Sequence, residues 1–156
     1  MPSFKLALPV ILAGVLATSG CVNHEARSYR LAGVKHQIDD LSVTSGSTTV
    51  LVTKNRVAWP WPDPSNTSRL YLEVNPSLIK PNAAITIPSQ GVRALVWWSK
   101  ANPHVSDTCS GSAFIDNVTP GKIVATINVR CRAGGTMWES RGSNIRFEDA
   151  PRATAP

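Results

Sequence analysis

The sequence predicts an all-β domain, most simply a small antiparallel β-sandwich with one cross-strand disulfide, and a small closed β-barrel is the alternative. Twelve prolines and ten glycines interrupt the 156 residues at short intervals. The runs between them are rich in Val, Ile, Thr and Trp, which favour strands. Within several runs apolar and polar side chains alternate, as in a sheet with one face in water. The length fits one domain.

The first twenty residues have the composition of a secretory signal peptide. Lys5 supplies the only charge before Glu25, and residues 6–18 are almost wholly apolar. This run is shorter than the stretch of about 20 apolar residues that spans a bilayer. Small residues end it, and Cys21 follows directly.

Ser19, Gly20 and Cys21 resemble the signal of bacterial lipoproteins, in which the cysteine is lipidated and becomes the mature N-terminus. Thr18 departs from that pattern, which usually has Leu there. The resemblance implies a cell-envelope lipoprotein held by several acyl chains (palmitate among them). Val22 stands where many Gram-negative lipoproteins carry an Asp for inner-membrane retention, so the resemblance implies the outer membrane, facing the periplasm. The alternatives are ordinary cleavage that leaves a free thiol and an uncleaved, buried N-terminal helix.

These features divide the chain into four expected parts: a signal peptide over residues 1–20, a lipid anchor and tether over 21–28, one β domain over 29–148 and a flexible tail over 149–156. Losing Lys5 lowers the net charge from +6 to +5. The arginines are scattered along the sequence without a run, which predicts simple solubility and no nucleic-acid partner.

Strands are expected in order along the chain at residues 48–57, 69–74, 83–87, 92–99, 111–118, 122–130, 136–140 and 144–147. The segment before them is ambiguous. Leu31, Val34 and Ile38 recur at helical spacing, whereas Gly33 disfavours a helix. A strand at residues 28–31 followed by a short helix fits equally well.

Residues 109–131 predict a hairpin that turns at Pro120. Folding the segment about that proline pairs residues whose numbers sum to 240, so that Ala113 lies opposite Ile127 and Cys109 lies opposite Cys131. One register thus explains both the apolar alternation and a disulfide. If Cys21 carries lipid, these two are the remaining cysteines of three, and the count closes.

The sequence predicts no catalytic residue, no metal ligand and no cofactor. No serine lies in a Gly-x-Ser-x-Gly elbow. His36 precedes Asp39 and Asp40, but this spacing matches no zinc site and predicts a solvated polar stretch. His104 and Asp107 are the centre that an envelope enzyme of unknown reaction would use.

Aromatic residues give the candidate binding surface. Trp59 and Trp61 alternate with prolines in "WPWP", which predicts a stiff, extended loop that presents rings to sugars or peptides. Leu95 and Trp97 share a strand face with Arg93, a composition typical of an interface. The alternative for both pairs is packing, with a second layer of the fold covering Trp97.

These observations favour a non-catalytic envelope lipoprotein, attached to the membrane by its lipid, that binds a partner protein or a cell-wall glycan. A second reading is an inhibitor of a secreted hydrolase. Residues 110–114, "SGSAF", loosely resemble the inhibitory loop of lipoproteins that inhibit lysozyme. The third reading is the envelope enzyme.

Overall fold

The computed structural model describes residues 26–38, 41–44, 47–54, 56–59, 68–97, 105–106, 108–133, 135–151 and 153. Its elements are β-strands and one short 3-10 turn, Pro76–Leu78. Among these residues no helix is long and apolar enough to cross a membrane. The all-β prediction is therefore confirmed.

The strands are numbered in chain order. They are β1 (Arg27–Leu31), β2 (Lys35–Ile38), β3 (Leu41–Thr44), β4 (Thr48–Lys54), β5 (Arg56–Trp59), β6 (Arg69–Val74), β7 (Ala83–Ile87), β8 (Val92–Trp97), β9 (Val105–Ser106), β10 (Cys109–Thr119), β11 (Lys122–Ala133) and β12 (Thr136–Asp149).

Ten strands form one sheet in the order β7-β10-β11-β12-β1-β4-β6-β8-β9, with β5 added to β12. The β1–β12 pair is parallel and the other described pairs are antiparallel, so the sheet is mixed. The sheet curls until β8 approaches β7 and β10, which makes a nearly closed barrel. The architecture is thus the barrel alternative, with β2 and β3 as a separate two-stranded sheet.

Every second residue of the strands points into the barrel, and these inward-facing side chains are apolar. From β6 it takes Leu70, Leu72 and Val74, as the alternation predicts. The other strands contribute buried residues of the same kind, including Ile115, Ala125, Ile127 and Phe147. These inner faces form one continuous core.

A second core lies on the outside of the barrel, where the sequence predicted a wet face. Tyr71 of β6 is fully buried, and Leu95 and Trp97 of β8 are nearly so. The β2–β3 hairpin supplies Ile38 to this cluster, and Ala153 of the C-terminal segment packs against it. Here the sheet is covered on both faces, and the alternation of aromatic and polar side chains did not reveal the extra layer.

The β10–β11 hairpin has the predicted register. Cys109 pairs with Cys131, and Ala113 pairs with Ile127. Past Ile115 the pairing shifts by one residue, which leaves Asp116 as the extra residue of a β-bulge. The turn consists of Pro120 and Gly121, whose φ of 77° suits the third position of a type II turn.

A disulfide joins Cys109 to Cys131, as predicted. Its two cysteines are 22 positions apart, and closing a loop of that size lowers the entropy of the unfolded chain. We expect the double variant Cys109→Ala/Cys131→Ala to lose about 3 kcal/mol of unfolding free energy, measured by urea denaturation. A loss below about 1 kcal/mol would contradict a stabilising role.

Three local predictions differ from the structure. Residues 136–140 and 144–147 belong to one long strand, β12, which continues through a bulge where Asn144 has a φ of 54°. The predicted strand 48–57 is divided between β4, which pairs with β6, and β5, which pairs with β12. Residues 35–38 and 41–44 form the paired strands β2 and β3 and not a helix. The helical spacing was coincidental, since Leu31 and Ile38 reach the same core from separate strands while Val34 is exposed.

Both expected flexible ends are held in the fold where the structure describes them. Ser28, expected in the tether, is buried, and its Oγ donates to Asp149 Oδ1 at 2.5 Å. The backbone N–H of Ala150 donates to the carbonyl of Ser28 at 2.9 Å. Ala26, within the expected tether, is also buried, and Ala153, within the expected tail, packs against the second core.

Candidate functional site

The outer face of β11 and β12 brings together cations that lie apart in the sequence. They form what we call the basic strip: Lys122, Arg130, Arg132, Arg141 and Arg146. The four arginines are exposed. They alternate with inward residues, such as Val129 on β11 and Ile145 on β12. Arginines that are scattered along the sequence therefore lie near one another on this part of the surface.

One carboxylate, Glu139, links two of these cations near one end of the strip, and a second, Glu148, lies opposite Lys122 at the other end. Glu139 lies opposite Arg130 in the β11–β12 register. Its Oε1 accepts hydrogen bonds from Arg130 Nε and from Arg141 Nη2, both at 2.9 Å. The two guanidinium-bearing side chains remain 59% and 57% exposed. Glu139 thus holds the guanidinium groups of Arg130 and Arg141 side by side, and both groups remain accessible to a ligand.

The same pairs set the charge state of Glu139. The hydrogen bond from Arg130, helped by the nearby charge of Arg141, lowers the pKa of this carboxyl below its ordinary value of 4.5. A lowered pKa means that the ion pairs add stability above the unfolded-state pKa and lose it as pH falls through the folded-state value. The site is accordingly assembled at neutral pH.

Polar and aromatic side chains adjoin the strip on the neighbouring strands. Ser112 of β10 pairs with Asn128 of β11, which pairs with Arg141 of β12, so the three form a row across the sheet. All three are exposed. Phe114 lies two positions along β10 and is 39% exposed. The face therefore combines cations, hydroxyl and amide groups, and one open ring.

The predicted Arg93–Leu95–Trp97 surface does not form. Arg93 is exposed, and its Nε and Nη2 donate to Glu73 Oε2 and Oε1 at 3.2 and 3.1 Å. Leu95 and Trp97 are buried in the second core beneath Ile38, so they offer no binding surface. The physical reason is the layer made by β2, β3 and the C-terminal segment.

Other predicted positions are only partly described. The backbone of Trp59 ends β5 and pairs with Met137 of β12. Trp61, Cys21 and the His104–Asp107 pair lie outside the described residues.

His36 is buried and not solvated as predicted, with Nδ1 3.2 Å from the carbonyl of Ala153. The described part of the chain holds no group of three potential metal ligands.

The segment that suggested an inhibitor is not a loop. Residues 110–114 lie in the middle of β10, which pairs with β11 on one side and β7 on the other. The backbone of Asn128 lies so close to Gly111 that no side chain fits at this position. Residues 111–114 are therefore paired with a neighbouring strand on both sides and present no free strand edge.

The chain matches no protein-family model, no curated protein and no solved structure.

Sequence reasoning missed the basic strip for a definable reason. Asn128, Arg130 and Arg132 recur at every second position, which is a visible strand signal, but the predicted strand ended at residue 130. The partner cation Arg141 lies in an unbroken part of the β11–β12 register, but residue 141 fell between the two predicted strands 136–140 and 144–147. Of the cations on β12, only Arg146 lies beyond the bulge between Ala125 and Ile127.

Proposed function

We propose that this chain is a non-catalytic, lipid-anchored envelope module that binds an acidic cell-wall glycan along the basic strip. The observation that carries the proposal is the pair of exposed arginines, Arg130 and Arg141, that both donate hydrogen bonds to Glu139. Guanidinium groups bind carboxylates and phosphates through paired, charge-assisted hydrogen bonds. Two such groups held side by side offer neighbouring contacts to a repeating acidic polymer.

The shape of the strip favours a linear ligand. Its cations follow β11 from Lys122 to Arg132, which corresponds to about 33 Å of extended strand. Ser112 and Asn128 beside it supply partners for sugar hydroxyls, and Phe114 supplies a ring face. A small anion would use only a fraction of this surface.

The lipid anchor fixes where the module acts. Five peptide units separate Cys21 from the buried Ala26, and a fully extended chain of that length spans at most about 17 Å. A domain attached through Cys21 therefore stays next to its membrane, which we place at the periplasmic face of the outer membrane. Several acyl chains make that attachment stable.

The test measures the affinity for an oligogalacturonate, a soluble polymer of hexuronic acid, by titration calorimetry. We expect Arg130→Gln/Arg141→Gln to weaken binding about tenfold, because each lost cation contact is worth about 0.5–1 kcal/mol. Conversely, Glu139→Gln should strengthen binding about two- to fivefold, because it removes a negative charge that repels an acidic ligand, while the amide oxygen of Gln can still accept hydrogen bonds from both arginines.

The matched control is Lys35→Gln/Lys80→Gln, which removes the same charge from exposed positions outside the strip. It should leave the affinity within about twofold of the wild type, since exposed charges beyond a Debye length are screened. An equal loss in the control and the strip variant would mean that only net charge matters, and the assignment of the site would fail. Capture of one dominant protein from envelopes, with no glycan affinity, would point to a protein partner.

A further inference from the structure

A cavity lies at the end of the barrel opposite the disulfide. The segment between β6 and β7, residues 75–82, crosses the barrel mouth there. Two backbone hydrogen bonds hold the ends of this segment. The N–H of Asn75 donates to the carbonyl of Gly91 at 2.8 Å, and the N–H of Asn82 donates to the carbonyl of Ile115 at 2.7 Å. Between this segment and the barrel wall is a volume of about 420 Å³.

The walls of the cavity are mainly apolar. Ile79 comes from the crossing segment, Val118 from the end of β10 and Ile123 from the start of β11. Ile79 and Val118 are partly buried against the barrel core, and Ile123 is buried within it. A volume of this size falls in the range of small-molecule sites, about 300–1,000 Å³, and barrel mouths are common places for them.

One cation stands at the rim. Arg30 of β1 lines the cavity beside Thr49, its partner on β4. The Arg30 side chain is 64% exposed, and its Nη2 lies 3.6 Å from Asp149 Oδ2, which is longer than a hydrogen bond. The two groups form an ion pair, and the Ser28 hydrogen bond occupies the other carboxylate oxygen, Oδ1. A guanidinium carries five N–H donors, so Arg30 keeps donors that an anionic group at the mouth can use.

We propose that this cavity binds a small single-chain amphiphile with an anionic head, of the fatty-acid type. The hydrocarbon chain lies against Ile79, Val118 and Ile123, and the carboxylate binds Arg30. The apolar part of the wall and the cation at the opening complement the two halves of such a ligand, and the hydroxyl groups of Ser47, Thr48 and Thr49 also line the cavity. The site is separate from the basic strip, so the inference goes beyond the proposed glycan binding and does not depend on it.

The experiment titrates decanoate into the full chain carrying Cys21→Ala, which keeps every described residue and removes the competing anchor. Affinity is measured by calorimetry, with decanol as the neutral probe. We expect micromolar binding of decanoate. Arg30→Gln should weaken decanoate binding about tenfold and leave decanol unchanged, because only the charge-assisted contact is lost.

Two blocking variants test the position of the chain. Val118→Trp fills the cavity from β10, and Ile79→Trp fills it from the crossing segment; either should abolish binding of both probes. Lys80→Gln removes an exposed charge at the same end of the barrel without touching the lining and should change nothing. Near-UV circular dichroism identifies any variant that fails to fold. If one blocking variant does not fold, the binding measured for the other blocking variant is the test.

Absence of decanoate binding, or unchanged binding in a folded blocking variant, would overturn the proposal. Equal effects of Arg30→Gln on decanoate and decanol would overturn the role of Arg30. Oligogalacturonate affinity, measured on the same samples, reports the basic strip independently, so the failure of one proposal is distinguishable from the failure of the other.

Discussion

Replacing Gly111 by alanine will destabilise the domain by about 3 kcal/mol or more. Gly111 has a φ of 147°, and a Cβ built on it would lie 2.1 Å from the carbonyl oxygen of Asn128 and 2.9 Å from the Cα of Val129. Both obstacles are backbone atoms of β11, the strand paired with Gly111. Neither can move away without breaking that pairing, so the hairpin itself must distort.

Gly121 provides the matched control in the same hairpin. Its φ is also positive, at 77°, but a Cβ there would meet no atom within 4 Å. Gly121→Ala therefore carries only the conformational penalty, about 1 kcal/mol. Urea denaturation of both variants separates the two effects, and equal losses would show that the contact with Asn128 is not what requires a glycine at position 111.

Truncating Trp97 to alanine will cost about 3–5 kcal/mol of unfolding free energy. The side chain is 5% exposed and packs in the second core with Tyr71, Leu95 and Ile38. Its removal leaves a cavity under the β2–β3 hairpin. Among the described residues this hairpin forms a two-stranded sheet of its own, separate from the main sheet. The loss should therefore be accompanied by loosening of that hairpin.

Phe114→Ala is the control for Trp97→Ala, because Phe114 is an aromatic residue on the solvent side of the sheet and is 39% exposed. It should cost less than about 1 kcal/mol, as surface substitutions usually do. Thermal and urea denaturation measure both variants. A Trp97→Ala protein as stable as the wild type would contradict the second core and restore Trp97 as a candidate binding residue.

The β10–β11 hairpin shows what the sequence could predict. Alternation of apolar residues, a Pro-Gly turn and two cysteines all select one register, and the structure has that register up to Ile115. The strands Arg69–Val74 and Ala83–Ile87 were likewise found at the predicted positions. In each case the signal lies within one or two adjacent segments, where sequence spacing and spatial spacing coincide.

The second core shows where such reasoning stopped. Whether Trp97 faces water depends on Ile38 and Ala153, which reach it from the two ends of the described chain. That contact depends on topology, and no local spacing reports it. The basic strip has a different origin, because Arg130 and Arg141 lie on adjacent antiparallel strands whose register is unbroken from the pair Ala133 and Thr136 to the pair Ile127 and Gly142. The prediction of two separate short strands at residues 136–140 and 144–147 left that pairing unrecognised.

The barrel-mouth cavity also lay beyond the sequence. Arg30, Ile79 and Val118 belong to three elements that meet only when residues 75–82 cross the barrel end. Their residue types are ordinary for a strand, a turn and a hairpin end. Only their assembly gives an apolar pocket with a cation at its rim.

The measurement that tests the account most directly is a backbone amide shift map of the ¹⁵N-labelled full chain, carrying Cys21→Ala, titrated with oligogalacturonate. We predict that the largest shifts fall on residues 128–132 of β11 and 139–141 of β12, and that added salt reverses them. Shifts centred elsewhere, or none at ligand concentrations that saturate a micromolar site, would contradict binding along the basic strip.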